Sequence, residues 1–146
     1  MITFERCEIM RIIGIDYGDA RVGIAVSDET EFLASANCTL NVTGMRDACK
    51  KTVEKIKELD GKKIILGLPK NMDGSESFRV EKTRAFAEML SKELDMEIVF
   101  VDERLSTVQA YTYLNMADFN GKKRRNVIDA LSAQIILQSY LDGNKK

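Results

Sequence analysis

Apolar residues fall along this chain in short blocks with two different periods. The stretch "RIIGIDYGDARVGIAVSD", residues 11–28, holds two compact apolar runs around a small Gly/Asp turn. Residues 11–16 and 22–27 read as strands joined through 17–21, a hairpin. "ANCTLNV", 36–42, is a candidate third strand. Over 45–59, Ala48, Cys49, Val53, Ile56 and Leu59 recur at helical spacing, and Gly61 follows as a stop. "KKIILGLP", 62–69, is the continuous apolar run of a buried strand, and "NMDGS", 71–75, is a loop. Phe78, Ala85, Phe86, Met89, Leu90 and Leu94 mark a second amphipathic helix over 77–94. "EIVFVDE", 97–103, predicts a strand and 107–116 a helix. The polar loop "DFNGKKRRN" follows, then a strongly apolar helix over about 127–141.

The order β-β-β-α-β-α-β-α-α predicts an α/β fold, a mixed sheet with helices packed on it. Right-handed crossovers bring the later parallel strands beside the first. Ligand sites in such sheets form at the carboxyl ends of the strands. A chain of 146 residues is the size of one domain, and it carries no repeat, low-complexity segment or linker. Residues 1–10 read as a short N-terminal extension and 11–142 as the single domain.

Composition narrows the chemistry. The chain has no histidine, which excludes a His general base, a His-dependent triad and a His-ligated zinc. Cys7, Cys38 and Cys49 are odd in number and form no C-x-x-C pair, as in reduced thiols of a cytoplasmic protein. No run of 18 apolar residues is present and "MITFERCEIM" lacks a signal-peptide pattern, so no membrane association is expected. The net charge is −1, so affinity for a polyanion must come from local clusters of base.

Against that background the acids at the strand ends are notable. Asp16 closes a strand that otherwise buries Ile12, Ile13 and Ile15. A carboxylate there needs donors, a basic partner or a metal. Asp102 and Glu103 close the last strand, where alternation lets only one of them share a pocket with Asp16. Asp129 lies in the last helix, with the small Ser132 and Ala133 among its helical neighbours. Three converging carboxylates repel one another unless a divalent cation joins them, and oxygen-only ligands suit Mg²⁺ or Mn²⁺. Such ions promote phosphodiester cleavage without histidine. Each acid alone also has a plainer reading. Asp16 fits a turn starter, and the strand-end acids fit solvated residues or partners of Arg104. Asp129 fits the N3 position of a helix capped by Asn126. The run Lys122, Lys123, Arg124, Arg125 fits a phosphate-binding cluster or a solvated loop. Tyr17 and Arg21 fit contacts to a base or phosphate, or ordinary turn residues.

The four segments "GIDYGDARVGIAVSD" (14–28), "LGLPKNMDGS" (66–75), "VDERLST" (101–107) and "IDALSAQIILQSYLD" (128–142) occur in this order and at fitting distances. Together they resemble the bacterial YqgF family, described as Holliday junction resolvases and as nucleases that process the 5′ end of pre-16S ribosomal RNA. The likeness spans 11–142. It implies a ribonuclease H-like fold: a five-stranded mixed sheet, the first three strands antiparallel, with helices on both faces. It also implies a catalytic and metal-binding triad of Asp16, Glu103 and Asp129, choosing Glu103 over Asp102. Tyr17, Arg21, Arg104 and Lys122–Arg125 would meet nucleic acid. The implied partner is pre-rRNA, within ribosomal particles or free, or four-way junction DNA cut by a monomer or homodimer. In two places the chain departs from the family: "GDARVG" has no lysine between glycine and arginine, and "DALSA" is less alanine-rich. A nucleotide-binding module and a non-catalytic ribosome-associated factor are the rival readings.

Overall fold

The computed structural model describes residues 11–28, 33–69, 78–102 and 127–143, and the backbone of 121–126. Eight elements follow in chain order: β1 (Arg11–Tyr17), β2 (Arg21–Ser27), β3 (Ala34–Asn41), α1 (Met45–Glu58), β4 (Gly61–Leu68), α2 (Phe78–Glu93), β5 (Glu97–Asp102) and α3 (Gly121–Gly143). The expected helix at 107–116 and loop at 71–75 lie outside the described residues.

The five strands form a single sheet in the order β3-β2-β1-β4-β5. β1 pairs antiparallel with β2, and β2 antiparallel with β3; β4 and β5 join in parallel on the other side. The mixed sheet with three leading antiparallel strands is therefore present, and β1 is its centre. A central strand covered on both faces must be apolar at successive positions, which is why 12–15 reads as a run and not as an alternation.

The two faces have separate cores. Ile13, Ile15, Tyr17, Val22, Ile24, Ile64 and Leu66 pack with α1 and α2 through Ala48, Val53, Ile56, Phe86 and Leu90. Ile12, Ala25, Ala34 and Ile65 pack with α3 through Ala133, Ile136, Leu137 and Leu141. Even-numbered residues of β1 thus face α3, and odd-numbered ones face α1 and α2.

The distal half of α3 is pinned to the sheet by polar contacts. The Ala34 N–H donates to Gln138 Oε1 at 2.9 Å, and Lys63 Nζ donates to the Tyr140 hydroxyl at 2.5 Å. Lys63 also reaches Glu97 on β5 at 3.5 Å. These contacts fix the helix lengthwise and about its axis.

α1 stops before Gly61, as expected, and Asp60 takes the left-handed conformation in the turn, with φ 56°. Gly61 is the first residue of β4, where a Cβ would sit 2.5 Å from Ile13 Cγ1. The last helix begins at Gly121, not at 127, so Lys122–Arg125 form its opening turns and not a loop. Lys and Arg are good helix formers, and no proline interrupts the run.

Candidate active site

Asp16 lies at the carboxyl end of the central strand, half-buried, one residue before β1 ends. Its register partner across the antiparallel pair is Gly23 on β2. Directly paired residues share a face, so Asp16 and Gly23 look towards α3, as do the next such pair, Gly14 and Ala25.

Those two glycines seat the helix. A Cβ on Gly23 would lie 1.9 Å from the Asp129 carbonyl oxygen, and a Cβ on Gly14 would lie 2.8 Å from the Ala133 carbonyl oxygen. No side chain fits at either position. The α3 backbone therefore lies directly on β2 and β1, with Asp129 above the residue paired to Asp16. Ser132 and Ala133, both fully buried, are small enough to permit this approach. Two acidic residues far apart in sequence thus sit on adjoining stretches of β1 and α3 near the end of the central strand.

The early start of α3 also removes the capping account of Asp129. That residue lies eight positions after Gly121, well beyond the first turn where a carboxylate meets the helix dipole. Its partner is Arg21, the first residue of β2, whose Nε donates to Asp129 Oδ2 at 2.6 Å. Burial pushes the Asp129 carboxyl above the usual carboxylate range, and the Arg21 guanidinium opposes that shift only in part. A charged group kept in a desolvating position despite that cost is a common mark of a working site.

The remaining candidates separate. Tyr17 is buried on the opposite face from Asp16, its ring stacked on Phe86 with centroids 4.2 Å apart. The ring is core packing and does not form the base-contacting surface expected of it, because β1 alternation turns it away from α3. Burial, and then nearby Asp19, raises its phenol further above the ordinary value. On β5, Val99 and Val101 face α3 while Ile98 joins the other core. Alternation therefore puts Asp102 on the face away from Asp16. Glu103 and Arg104 lie outside the described residues, as do the side chains of Lys122, Lys123, Arg124 and Arg125. Among the described residues, no three Asp, Glu, Cys or His side chains gather closely enough to hold a metal ion. Asp16 and Asp129 are oxygen-donor residues on two neighbouring elements, the donor type that suits a hard divalent cation.

Sequence reasoning missed the glycine seats and the Arg21–Asp129 pair. The seats had a readable signal: Gly14 and Gly23 share a strand face with Asp16 once the hairpin register is drawn. The ion pair had none, since its partners are 108 residues apart.

A family model described as "RuvX: Holliday junction resolvase" matches residues 10–143. The chain belongs to the RuvX family. A relative from Halothermothrix orenii is 46% identical over 141 residues, covering 94% of this chain and 98% of the relative; its name is "Putative pre-16S rRNA nuclease". A relative of the same name from Caldanaerobacter subterraneus is 42% identical over 137 residues, covering 93% of this chain and 99% of the relative. Among solved structures, "T. thermophilus RuvC in complex with Holliday junction substrate" superposes with a TM-score of 0.60 at 12% identity. That match covers 94% of this chain and 98% of the other, and it bears out the ribonuclease H-like fold expected of a RuvX-family chain. Membership of this family makes the chain a nuclease, a hydrolase of phosphodiester bonds.

Proposed function

We propose that this nuclease is metal-dependent, that Asp16, Glu103 and Asp129 form its catalytic set, and that it acts in processing the 5′ end of pre-16S ribosomal RNA. The observation carrying the site is the seating of α3 on Gly23, which brings Asp129 over the strand pair that holds Asp16. The names of the relatives that share over 40% of its residues support the substrate. Glu103 is favoured over Asp102 because Asp102 occupies the wrong face of β5.

Mg²⁺ or Mn²⁺ is the cofactor that suits these ligands. When bound, it neutralises charge on the phosphoryl oxygens and eases deprotonation of the attacking water. Asp16 and Asp129 hold it, with Glu103 as ligand or as the group that orients the water. Arg21 favours the ionised form of Asp129 against its burial and aims the carboxylate. Its guanidinium, about one-third exposed, also presents donors to a substrate phosphate. Arg104 and the base-rich opening turns of α3 extend that grip along the strand. Action on ribosomal RNA precursors puts this activity in the cytoplasm. No described helix is long and apolar enough to cross a membrane.

The test is cleavage by the purified protein with Mg²⁺ or Mn²⁺, wild type against Asp16→Asn. An RNA spanning the 16S 5′ end and a four-way DNA junction are offered in parallel. Cutting of the RNA that falls at least about 100-fold in the variant, whose folding is checked by circular dichroism, is the expected result. Equal cutting by both proteins would sink the assigned chemistry. The RuvX family description supports one second reading, junction resolution, which needs two active sites and hence a homodimer. Paired symmetric cuts in the junction alone would select it.

A further inference from the structure

Phe78, Lys82 and Phe86 are spaced four apart on α2 and so lie one above another along the helix. The lowest rung, Phe86, is fully buried and stacks on Tyr17, the residue after Asp16. The middle rung, Lys82, reaches both carboxylate oxygens of Asp19 at 3.2 and 3.3 Å, in the turn between β1 and β2. The top rung, Phe78, is 68% exposed, with the Lys82 ammonium 5.0 Å from its ring centroid. Each four-residue step rises about 6 Å. The ladder thus runs from beneath the candidate active site, past the turn that follows Asp16, to an exposed ring beyond it.

A single exposed aromatic residue is ordinary on a protein surface. Leu33 and Phe100 are also exposed here, and no cation contact accompanies either among the described residues. Phe78 differs in having beside its ring an ammonium that also reaches Asp19 in the turn after Asp16. Arg79, the next residue along α2, is also exposed. An aromatic face with adjoining cations is the combination that grips unpaired nucleotides: the ring stacks on a base and the cations meet the phosphates. A base inside a duplex has both faces already covered by its neighbours.

We propose that Phe78 and Lys82 form a stacking step for one unpaired nucleotide of the strand entering the active site. This makes a single-stranded segment beside the cut part of what the protein recognises. The proposal rests on the nuclease reading for its position and deepens it, but it predicts binding that needs neither metal nor cleavage.

The chain contains no tryptophan, so a Phe78→Trp variant carries a lone indole reporter. Its emission is followed in EDTA while a short oligoadenylate, as RNA and as DNA, or a blunt hairpin of equal length is added. Saturable quenching by the single strands and none by the hairpin is expected. In a parallel anisotropy titration, Phe78→Ala should weaken single-strand binding on the order of 5- to 150-fold and leave hairpin binding unchanged. Lys82→Gln should lower the slope of log affinity against log salt by about 0.7. Equal quenching by both probes, no quenching, or wild-type affinity in Phe78→Ala would each overturn the proposal. Quenching without cleavage of any substrate would uphold the stacking step and count against the nuclease chemistry. Cleavage with unaltered binding in Phe78→Ala would do the reverse.

Discussion

Asp129 is held by two opposed influences, and the balance between them is measurable. Burial disfavours its charge, while Arg21 at 2.6 Å favours it, and burial wins. Carboxyl carbon NMR of the metal-free protein should therefore find Asp129 titrating above the ordinary aspartate range. In Arg21→Gln the opposing influence is gone, and the titration should move to still higher pH. The sign for stability follows from the same shift. A folded-state value above the unfolded one means that the folded protein binds this proton more tightly. The ionised carboxylate then costs stability at neutral pH, and the cost is relieved as pH falls through the raised folded value. Asp129→Asn should accordingly raise the denaturation midpoint at pH 7 while abolishing cleavage. A lowered midpoint would mean that the contact with Arg21 outweighs the burial. Stability given up at one residue for the sake of chemistry is the pattern expected of functional carboxylates.

Among the elements, α3 decides the proposed site, and it does so through backbone contact. Gly23→Ala would drive a methyl group to within 1.9 Å of the Asp129 carbonyl oxygen, so the helix must lift. The expected cost is about 1–3 kcal/mol, read by urea denaturation, together with loss of cleavage out of proportion to the lost stability. The strands and the first two helices were legible because hydrophobic period alone defines them: both faces of β1 are covered, so it reads as a run. Asp16 was legible as an oddity within that run. The start of α3 was not, because Lys122–Arg125 are polar, and polarity marks a loop as readily as an exposed helical turn. Phe78 fitted the apolar pattern of α2 and yet stands in solvent, since periodicity says nothing about where the covering layer stops. The close approach at Gly14 and Gly23 depends on strand register and helix seating at once, and pattern reasoning treats those separately.

For the whole molecule, the net charge of −1 sets the terms on which it meets a polyanion. There is no general attraction, so binding must draw on a few local cations. Replacing Lys122, Lys123, Arg124 and Arg125 with glutamine should lower the salt slope of single-strand RNA binding by up to about 2.8, if all four meet phosphates. An unchanged slope would assign that run to solvent. The other consequence concerns which changes of chain length the fold tolerates. Loops accept insertions cheaply because they need only close. The stretch from Asp129 to Ala133 does not, for its two ends rest on two glycines of different strands. One residue added or removed there would swing everything on one side of the change by about 100° around the helix. Either the carboxylate or the apolar face of α3 would then point the wrong way. Descendants of this chain are free to vary the lengths of their connections, but those five helical residues must be inherited without a gap.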